Sequence, residues 1–216
     1  MTVSRRTFTL GSAALGSAAL MSLAALPATA QAGLSAEDRA TLAQAQAYLQ
    51  NLTSARGDFV ETAPGGQRRT GRFWLQRPGK MRFEYTDPAG LLVVSDGNNV
   101  KRYDPRLNVF RQVPLGATPL STFLARNVRL DQGVRIDRVT RMASGAFAIT
   151  ARDSDKPNEG SVILAFAGNP VRLQEWTITD AQGGRTRTQL TSLVNEPNLA
   201  TSLFTLRDPT RRAGRR

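Results

Sequence analysis

Residues 71–97 have the sequence GRFWLQRPGKMRFEYTDPAGLLVVSDG, and this stretch decides which kind of fold the chain can adopt. It contains the turn dipeptides Pro78-Gly79 and Asp96-Gly97, in which proline presets one turn dihedral and glycine accepts a positive φ. Between the turns, apolar and charged residues alternate, so their side chains point to opposite faces of a strand. The apolar members of the central segment are Met81, Phe83 and Tyr85. The stretch therefore predicts an antiparallel meander with one apolar face.

The composition excludes several kinds of chemistry. The chain has 216 residues and contains neither cysteine nor histidine. Disulfides, thiolate metal sites, cysteine nucleophiles and imidazole acid–base catalysis are therefore excluded, and so is a Ser-His-Asp triad. We expect no cofactor and no enzymatic activity. Carboxylate catalysis of the glycosidase kind stays open in principle, but each candidate lies in a strand or turn where a structural role suffices: Glu61, Glu84, Asp96 and Glu175.

Residues 1–30 have the features of a cleaved export signal. The twin-arginine pair Arg5-Arg6 precedes an apolar run that is short for a membrane-spanning helix, and a small-residue cleavage motif ends at Ala30. We therefore expect cleavage between Ala30 and Gln31 and a mature protein in the periplasm. The predicted domains are a signal peptide over 1–30, one folded domain over 31–208 and a basic, disordered tail over 209–216.

The formal net charge is +12, and arginine greatly outnumbers lysine. Arginine spread over the solvent face of a sheet would account for this charge, and so would attraction to an anionic membrane surface or to nucleic acid. No aromatic-basic motif of the RNA-binding kind occurs in the sequence. Since the first residues also indicate export, we expect no nucleic-acid partner.

The rest of the chain predicts one helix, followed by strands that a second, short helix interrupts. Ser35 is the predicted N-cap of an amphipathic helix over 35–53, and a second, short helix is expected over 118–126 with Pro119 near its start. A last short strand is expected around Phe204. Period-two alternation and turn residues predict the other strands, which span 56–63, 68–77, 80–86, 91–95, 99–104, 108–113, 133–141, 145–153, 161–167, 170–179 and 185–193.

These elements predict a mainly β fold. About eleven strands with two short helices and no βαβ rhythm indicate a single curved antiparallel sheet, bent into an incomplete, half-open barrel and lidded by the helices. Apolar residues occur on nearly every strand. A sheet of this size either fills its concave side with side chains or holds a ligand there, and composition alone favours the filled core.

The ordered set of motifs resembles the LolA family of periplasmic carriers of outer-membrane lipoproteins. The resemblance spans nearly the whole chain after the signal segment. The segments that carry it are GRFWLQRP at 71–78, MRFEY at 81–85, Pro88, LLVVSDG at 91–97, YDP at 103–105, Thr118-Pro119 and LFTL at 203–206.

The resemblance implies a helical lid over an apolar cavity that takes the acyl chains of lipoproteins. It implies cargo received from an inner-membrane ABC transporter and delivered to an outer-membrane receptor by a monomeric carrier. Arg77, just before the turn proline, would bond to the lid and govern its opening. The residues expected to line the cavity are Phe59, Trp74, Met81, Phe83, Tyr85, Leu92, Val94, Phe123, Leu124 and Phe166.

One alternative stays open within the same fold. A related periplasmic module could bind a different lipid, or report mislocalised lipoproteins to a membrane regulator. A sensor of that kind usually carries a second domain, for which 216 residues leave little room.

Overall fold

The structure is a computed structural model that describes residues 33–118 and 120–211. The predicted signal segment with its cleavage site at Ala30 and Gln31, the proline at 119 and the end of the predicted tail lie outside the described residues. None of the described helices is long and apolar enough to cross a membrane.

Two α-helices, two 3-10 helices and twelve strands make up the described chain. The α-helices are α1 (Ala36–Asn51) and α2 (Leu120–Phe123), and the 3-10 helices are Leu115–Ala117 and Thr201–Phe204. The strands are β1 (Ser54–Thr62), β2 (Arg68–Gln76), β3 (Lys80–Asp87), β4 (Leu92–Asp96), β5 (Asn99–Asp104), β6 (Val109–Pro114), β7 (Val134–Arg141), β8 (Phe147–Asp153), β9 (Gly160–Ala167), β10 (Arg172–Asp180), β11 (Arg185–Leu190) and β12 (Val194–Asn195).

All twelve strands belong to one antiparallel sheet. The order is β6-β5-β4-β3-β2-β1-β11-β10-β9-β8-β7, and β12 pairs with β1 beside β11. Strands β6 and β7 end this order without pairing to each other among the described residues, so the sheet stays open. This confirms the predicted half-open antiparallel fold with helices, and β12 adds one strand to the predicted eleven.

The segment around Phe204 is not a strand, so that prediction was wrong. It forms the 3-10 helix Thr201–Phe204, which contacts strands β3 and β4. The Arg82 guanidinium donates to the carbonyl of Leu203 at 3.3 Å, and Phe204 is buried. The segment is therefore held against the sheet by the buried ring of Phe204 and by one side-chain hydrogen bond, and not by the backbone bonds of a strand.

Helix α1 begins where the sequence predicts. The Ser35 hydroxyl accepts the Asp38 N–H at 3.0 Å and the Asp38 carboxylate accepts the Ser35 N–H at 3.1 Å, which completes a capping box. The buried face of the helix carries Thr41, Leu42, Ala45 and Leu49. The second predicted helix is shorter than expected, since α2 has a single turn and the chain continues to β7 as a loop.

Two glutamines of α1 hold that loop. Gln50 Oε1 accepts the N–H of Val128 at 2.9 Å, and Gln46 Oε1 accepts the N–H of Leu130 at 3.1 Å. Val128 and Leu130 are both buried. Because unpaired buried N–H groups are costly, these bonds tie α1 to the chain that follows α2.

Most of the buried apolar residues form two separate clusters. The first joins α1 to strands β8 and β9 and contains Leu42, Ala45, Leu49, Val128, Leu130, Phe147, Ile149, Ala151, Val162, Leu164 and Phe166. The second lies on β1, β2, β3 and β5 and on the segments around Leu91, Leu115 and Leu124, and contains Phe59, Phe73, Met81, Phe83, Tyr85, Leu91, Val100, Leu115 and Leu124. Trp176 on β10 packs against both. A concave sheet with two half-cores leaves space between them.

Gly71 makes room for the ring of Phe59, its partner across β1 and β2. A Cβ at this position would lie 2.8 Å from that ring and 2.4 Å from the Glu84 carbonyl oxygen. The ring in turn packs edge-on against Phe83 and Tyr85 at 4.8 and 5.1 Å between centroids. The glycine thus permits the aromatic packing of the second cluster.

We expect Gly71→Ala to lower the free energy of unfolding by about 1–3 kcal/mol, because the added methyl group overpacks a buried cluster. Urea denaturation would measure the change. Gly65→Ala is the matched control, since a Cβ there meets nothing within 4 Å. Equal stability of the two variants would contradict this account of Gly71.

We expect Gln50→Met to increase the hydrogen-exchange rate of the Val128 amide, because the substitution removes its acceptor while keeping the side-chain length. Exchange monitored by NMR would measure it. Gln44→Met, at an exposed position of the same helix, is the control and should leave that amide unchanged. Protection of Val128 that survives in Gln50→Met would contradict the proposed tie between α1 and the loop.

Candidate functional site

An apolar cavity of about 90 Å³ lies between the two hydrophobic clusters. Its walls come from α1, the α2 region and both halves of the sheet. Among the described residues that line it, Arg77 alone is charged. The lining residues are Leu49, Leu52, Phe73, Leu75, Arg77, Met81, Phe83, Leu120, Phe123, Leu124, Val162, Leu164, Leu173, Trp176, Ile178, Leu190 and Leu193.

The structure brings five of the sequence-predicted site residues together at this cavity: Arg77, Met81, Phe83, Phe123 and Leu124. Three other predicted residues are buried but do not line it. Phe59 and Tyr85 lie deeper in the second cluster, and Phe166 stacks on Phe147 in the first at 4.9 Å between ring centroids.

Three further residues predicted to line the cavity are not among its lining residues. Trp74 pairs with Arg82 across β2 and β3, Val94 pairs with the same Arg82, and Leu92 pairs with Glu84. Directly paired residues share a face of the sheet, and Arg82 and Glu84 alternate with the cavity-facing residues of β3. Trp74, Leu92 and Val94 therefore lie on the outer face, where the Arg72 guanidinium stands 5.6 Å from the Trp74 ring centre.

Sequence reasoning missed the wall formed by β9 and β10. Trp176 lines the cavity and meets Phe83 edge-on at 6.1 Å between ring centroids, across the gap between the two clusters. The register with β9 shifts between Leu173 and Glu175, so Leu173 and Trp176 reach the same cavity although they are three residues apart. A β-bulge of this kind interrupts the alternation from which cavity-facing residues are predicted.

Arg77 joins the sheet to α1. One guanidinium nitrogen, Nη1, donates to the carbonyl of Leu49, and the backbone N–H of Arg77 donates to the Thr53 carbonyl at 2.8 Å. Leu49 lies in the last turn of α1, whose carbonyls have no partner within the helix and attract a cation. No basic residue of α1 itself occupies that turn, so Arg77 supplies the cation from the sheet.

Burial changes the pKa of this guanidinium. Desolvation lowers the pKa of Arg77 to about 10, and the nearby Tyr48 opposes the shift slightly. The group remains protonated at neutral pH. A cation beside an apolar cavity depends on the hydrogen bonds it makes for its stability. The bond to the Leu49 carbonyl therefore contributes more free energy than the same bond would contribute in solvent.

The same turn also holds the α2 region. The N–H of Gly79 donates to the Leu124 carbonyl at 2.8 Å, and the Ser95 hydroxyl donates to the Gly79 carbonyl at 2.6 Å. Gly79 has a φ of +75° and stands against Gly97, so a side chain would not fit. Residues 77–79 thus contact both helical elements that cover the cavity, and we call α1 and α2 together the lid.

The four carboxylates considered for catalysis each have a basic partner. Glu61 accepts from Arg69 at 3.2 Å and from the Tyr85 hydroxyl at 2.7 Å, and burial followed by the Glu61 charge raises the pKa of Tyr85. Burial raises the pKa of Asp96, but its bonds to Lys101 and to two backbone N–H groups outweigh burial and hold the value at about 2. The remaining pairs are Glu84 with Arg82 and Glu175 with Arg187.

Comparison with known proteins agrees with this architecture. The family described as outer membrane lipoprotein carrier protein LolA matches residues 50–207. A protein of Methylobacillus flagellatus named outer-membrane lipoprotein carrier protein is 30% identical over 175 residues, which cover 79% of this chain and 81% of the relative. Proteins of the same name from Chromohalobacter salexigens and Bordetella avium are 30% and 31% identical, covering 86% and 74% of this chain and 89% and 80% of their own. The chain therefore belongs to the LolA family.

Proposed function

We propose that this protein is a periplasmic carrier that binds the acyl chains of lipoproteins between its sheet and its lid and moves them to the outer membrane. The observation that carries the proposal is an apolar cavity walled on one side by helices that a single turn of the sheet holds in place. The names of the relatives, outer-membrane lipoprotein carrier protein, support the same function.

The energetics suit such a cargo. An acyl chain of about fifteen methylenes gains roughly 12 kcal/mol on leaving water, at ~0.8 kcal/mol per methylene. A carrier must offer apolar surface of comparable value and still release the chain without ATP. A lid held by a few polar bonds meets both needs, because opening it to admit the chain costs only those bonds and their re-formation on closing helps to displace the chain.

The cavity as it stands is too small for an acyl chain. Its volume of about 90 Å³ is below the ~150 Å³ of an engineered cavity that takes up benzene. An acyl chain needs more room than benzene, so binding requires the lid to move away from the sheet. The contacts that must yield are those of Arg77 with Leu49 and of Gly79 with Leu124.

The partners follow from this role. Acylated lipoproteins are the cargo, an inner-membrane ABC transporter would supply them, and an outer-membrane receptor would accept them from a monomeric carrier. The twin-arginine segment at 1–30 supports action in the periplasm. Binding and release require no bond-making chemistry, which agrees with a chain that lacks histidine and cysteine and whose candidate carboxylates are engaged in ion pairs.

The two tryptophans provide a direct test, because Trp176 lines the cavity and Trp74 lies on the outer face. In the variant Trp74→Phe, we expect a diacylated lipopeptide with brominated acyl chains to quench the fluorescence of Trp176. In the matched control Trp176→Phe, the remaining Trp74 should keep its emission. Unquenched Trp176 at saturating lipopeptide, or equal quenching of both tryptophans, would refute binding in the cavity.

We expect Arg77→Leu to load lipopeptide normally, because leucine keeps the cavity apolar, but to transfer it poorly, because the bond to Leu49 no longer re-forms to close the lid as the chain leaves. Transfer to outer-membrane vesicles should slow roughly tenfold, the effect of losing about one charged hydrogen bond. Arg72→Leu, which removes an arginine from the outer face, is the control. Unchanged transfer by Arg77→Leu would remove this residue from the mechanism.

A further inference from the structure

A further cavity, of about 300 Å³, lies where the sheet does not close. Residues 116–118, which follow the edge strand β6, line one side of it, and Gly133 and Val134, at the start of the edge strand β7, line the other. The ends of β8, β9 and β10 complete its walls. We call this cavity the seam pocket. Its volume is at the lower end of the range for ligand sites.

The seam pocket adjoins the apolar cavity. Phe123, Val162 and Ile178 line both of them. Val162 and Ile178 are paired residues of β9 and β10, so most of the shared wall belongs to the sheet. Helix α1 contributes none of the described residues that line the seam pocket, so a movement of α1 leaves its walls on the sheet in place. Part of a ligand in the apolar cavity can therefore lie in the seam pocket.

The seam pocket is far more polar than the apolar cavity. Among its described lining residues are three carboxylates and two cations. Lys156 pairs with Glu159 at 3.4 Å, and Arg152 pairs with a carboxylate of β7. Asp153 and Asp180 each accept two backbone N–H groups of their own turns, at 2.7 to 3.0 Å. Neither of these cations is left for a phosphate, so the lining favours a polar ligand without strong charge over a phospholipid head group.

A peptide backbone is a ligand of this kind, because each amide carries a donor and an acceptor and no net charge. Strand β7 ends the order of the sheet and begins at the seam pocket. One side of an edge strand presents backbone N–H and C=O groups that no neighbouring strand uses, and extended peptides bind to such edges. Ser121 and Thr122 of α2 line the pocket as well and add hydroxyl-bearing residues to it.

We propose that the seam pocket binds the first peptide residues of a lipoprotein whose acyl chains occupy the apolar cavity. The inference rests on the proposed carrier function and adds a peptide site to it. A carrier with this site distinguishes a lipoprotein from a phospholipid of the same chain length, because the phospholipid fills the apolar cavity and leaves the seam pocket without its ligand.

A fluorophore in the seam pocket provides the test. Because the chain contains no cysteine, Val134→Cys introduces a single thiol at the pocket for labelling. A diacylated lipopeptide with a nitroxide on the peptide residue after the acylated one should quench this fluorophore. Thr140→Cys is the matched control, since Thr140 is exposed and pairs with Ala148 on the outer face, roughly 20 Å along the same strand. Its fluorophore should keep its emission.

A blocking variant provides a second measurement. Val134→Phe should reduce the space in the seam pocket and weaken lipopeptide binding roughly fivefold, the effect of losing about one hydrogen bond. It should leave the affinity for a free fatty acid of the same chain length unchanged, because a fatty acid has no peptide. Thr140→Phe is the control and should change neither affinity. Should the Val134 variants fail to fold, a fluorophore on Lys156→Cys, in the exposed turn that lines the pocket, decides the question.

The outcomes separate this inference from the carrier function. If brominated acyl chains quench Trp176 while the nitroxide on the peptide leaves the Val134→Cys fluorophore unquenched, or quenches the Thr140→Cys fluorophore equally, the inference is overturned and the carrier function stands. A phospholipid with a nitroxide on its head group that quenches the Val134→Cys fluorophore as strongly as the lipopeptide would also overturn it. Failure of the brominated lipopeptide to quench Trp176 would instead refute the carrier function itself.

Discussion

The contact of one turn with both parts of the lid is the constraint on which the rest of the structure depends. Arg77 reaches the carboxyl end of α1, and Gly79 binds the chain at the end of α2. Gln46 and Gln50 also tie α1 to the loop that follows α2. A lid connected in this way can move as one unit, since breaking the contacts at the turn does not break those within the lid.

The cavity exists because the open sheet builds two half-cores that do not merge. Aromatic rings fill the sheet around β1 to β3. Aliphatic residues and the stacked rings of Phe147 and Phe166 fill β8 and β9 under α1, and Trp176 lies where the two clusters meet. A void left between the half-cores forgoes packing contacts that would otherwise stabilise the fold. Keeping such a void is consistent with a site selected for binding at some expense of stability.

The sequence predicted the elements better than it predicted which face each residue occupies. Strand limits agree within three residues, because turn residues and alternation are local signals. The predicted face of each side chain was correct on β3, where charged and apolar residues alternate strictly. It failed for Trp74, because Phe73 and Trp74 are both aromatic and a shift of one residue exchanges the faces of a strand. The pairing of Trp74 with Arg82 settles the choice for Phe73.

By itself, the sequence determined the class of fold through turn chemistry, alternation and composition. The order of its motifs indicated the family, and only that resemblance implied that Arg77 bonds to the lid. Only the tertiary structure decided that Trp176 and Ile178 complete the cavity, that Leu92 and Val94 lie outside it, and that Tyr48 and Arg77 each keep a buried polar atom without a partner among the residues that the structure describes. These facts depend on strand register and on contacts between residues far apart in sequence, which alternation along one strand cannot specify.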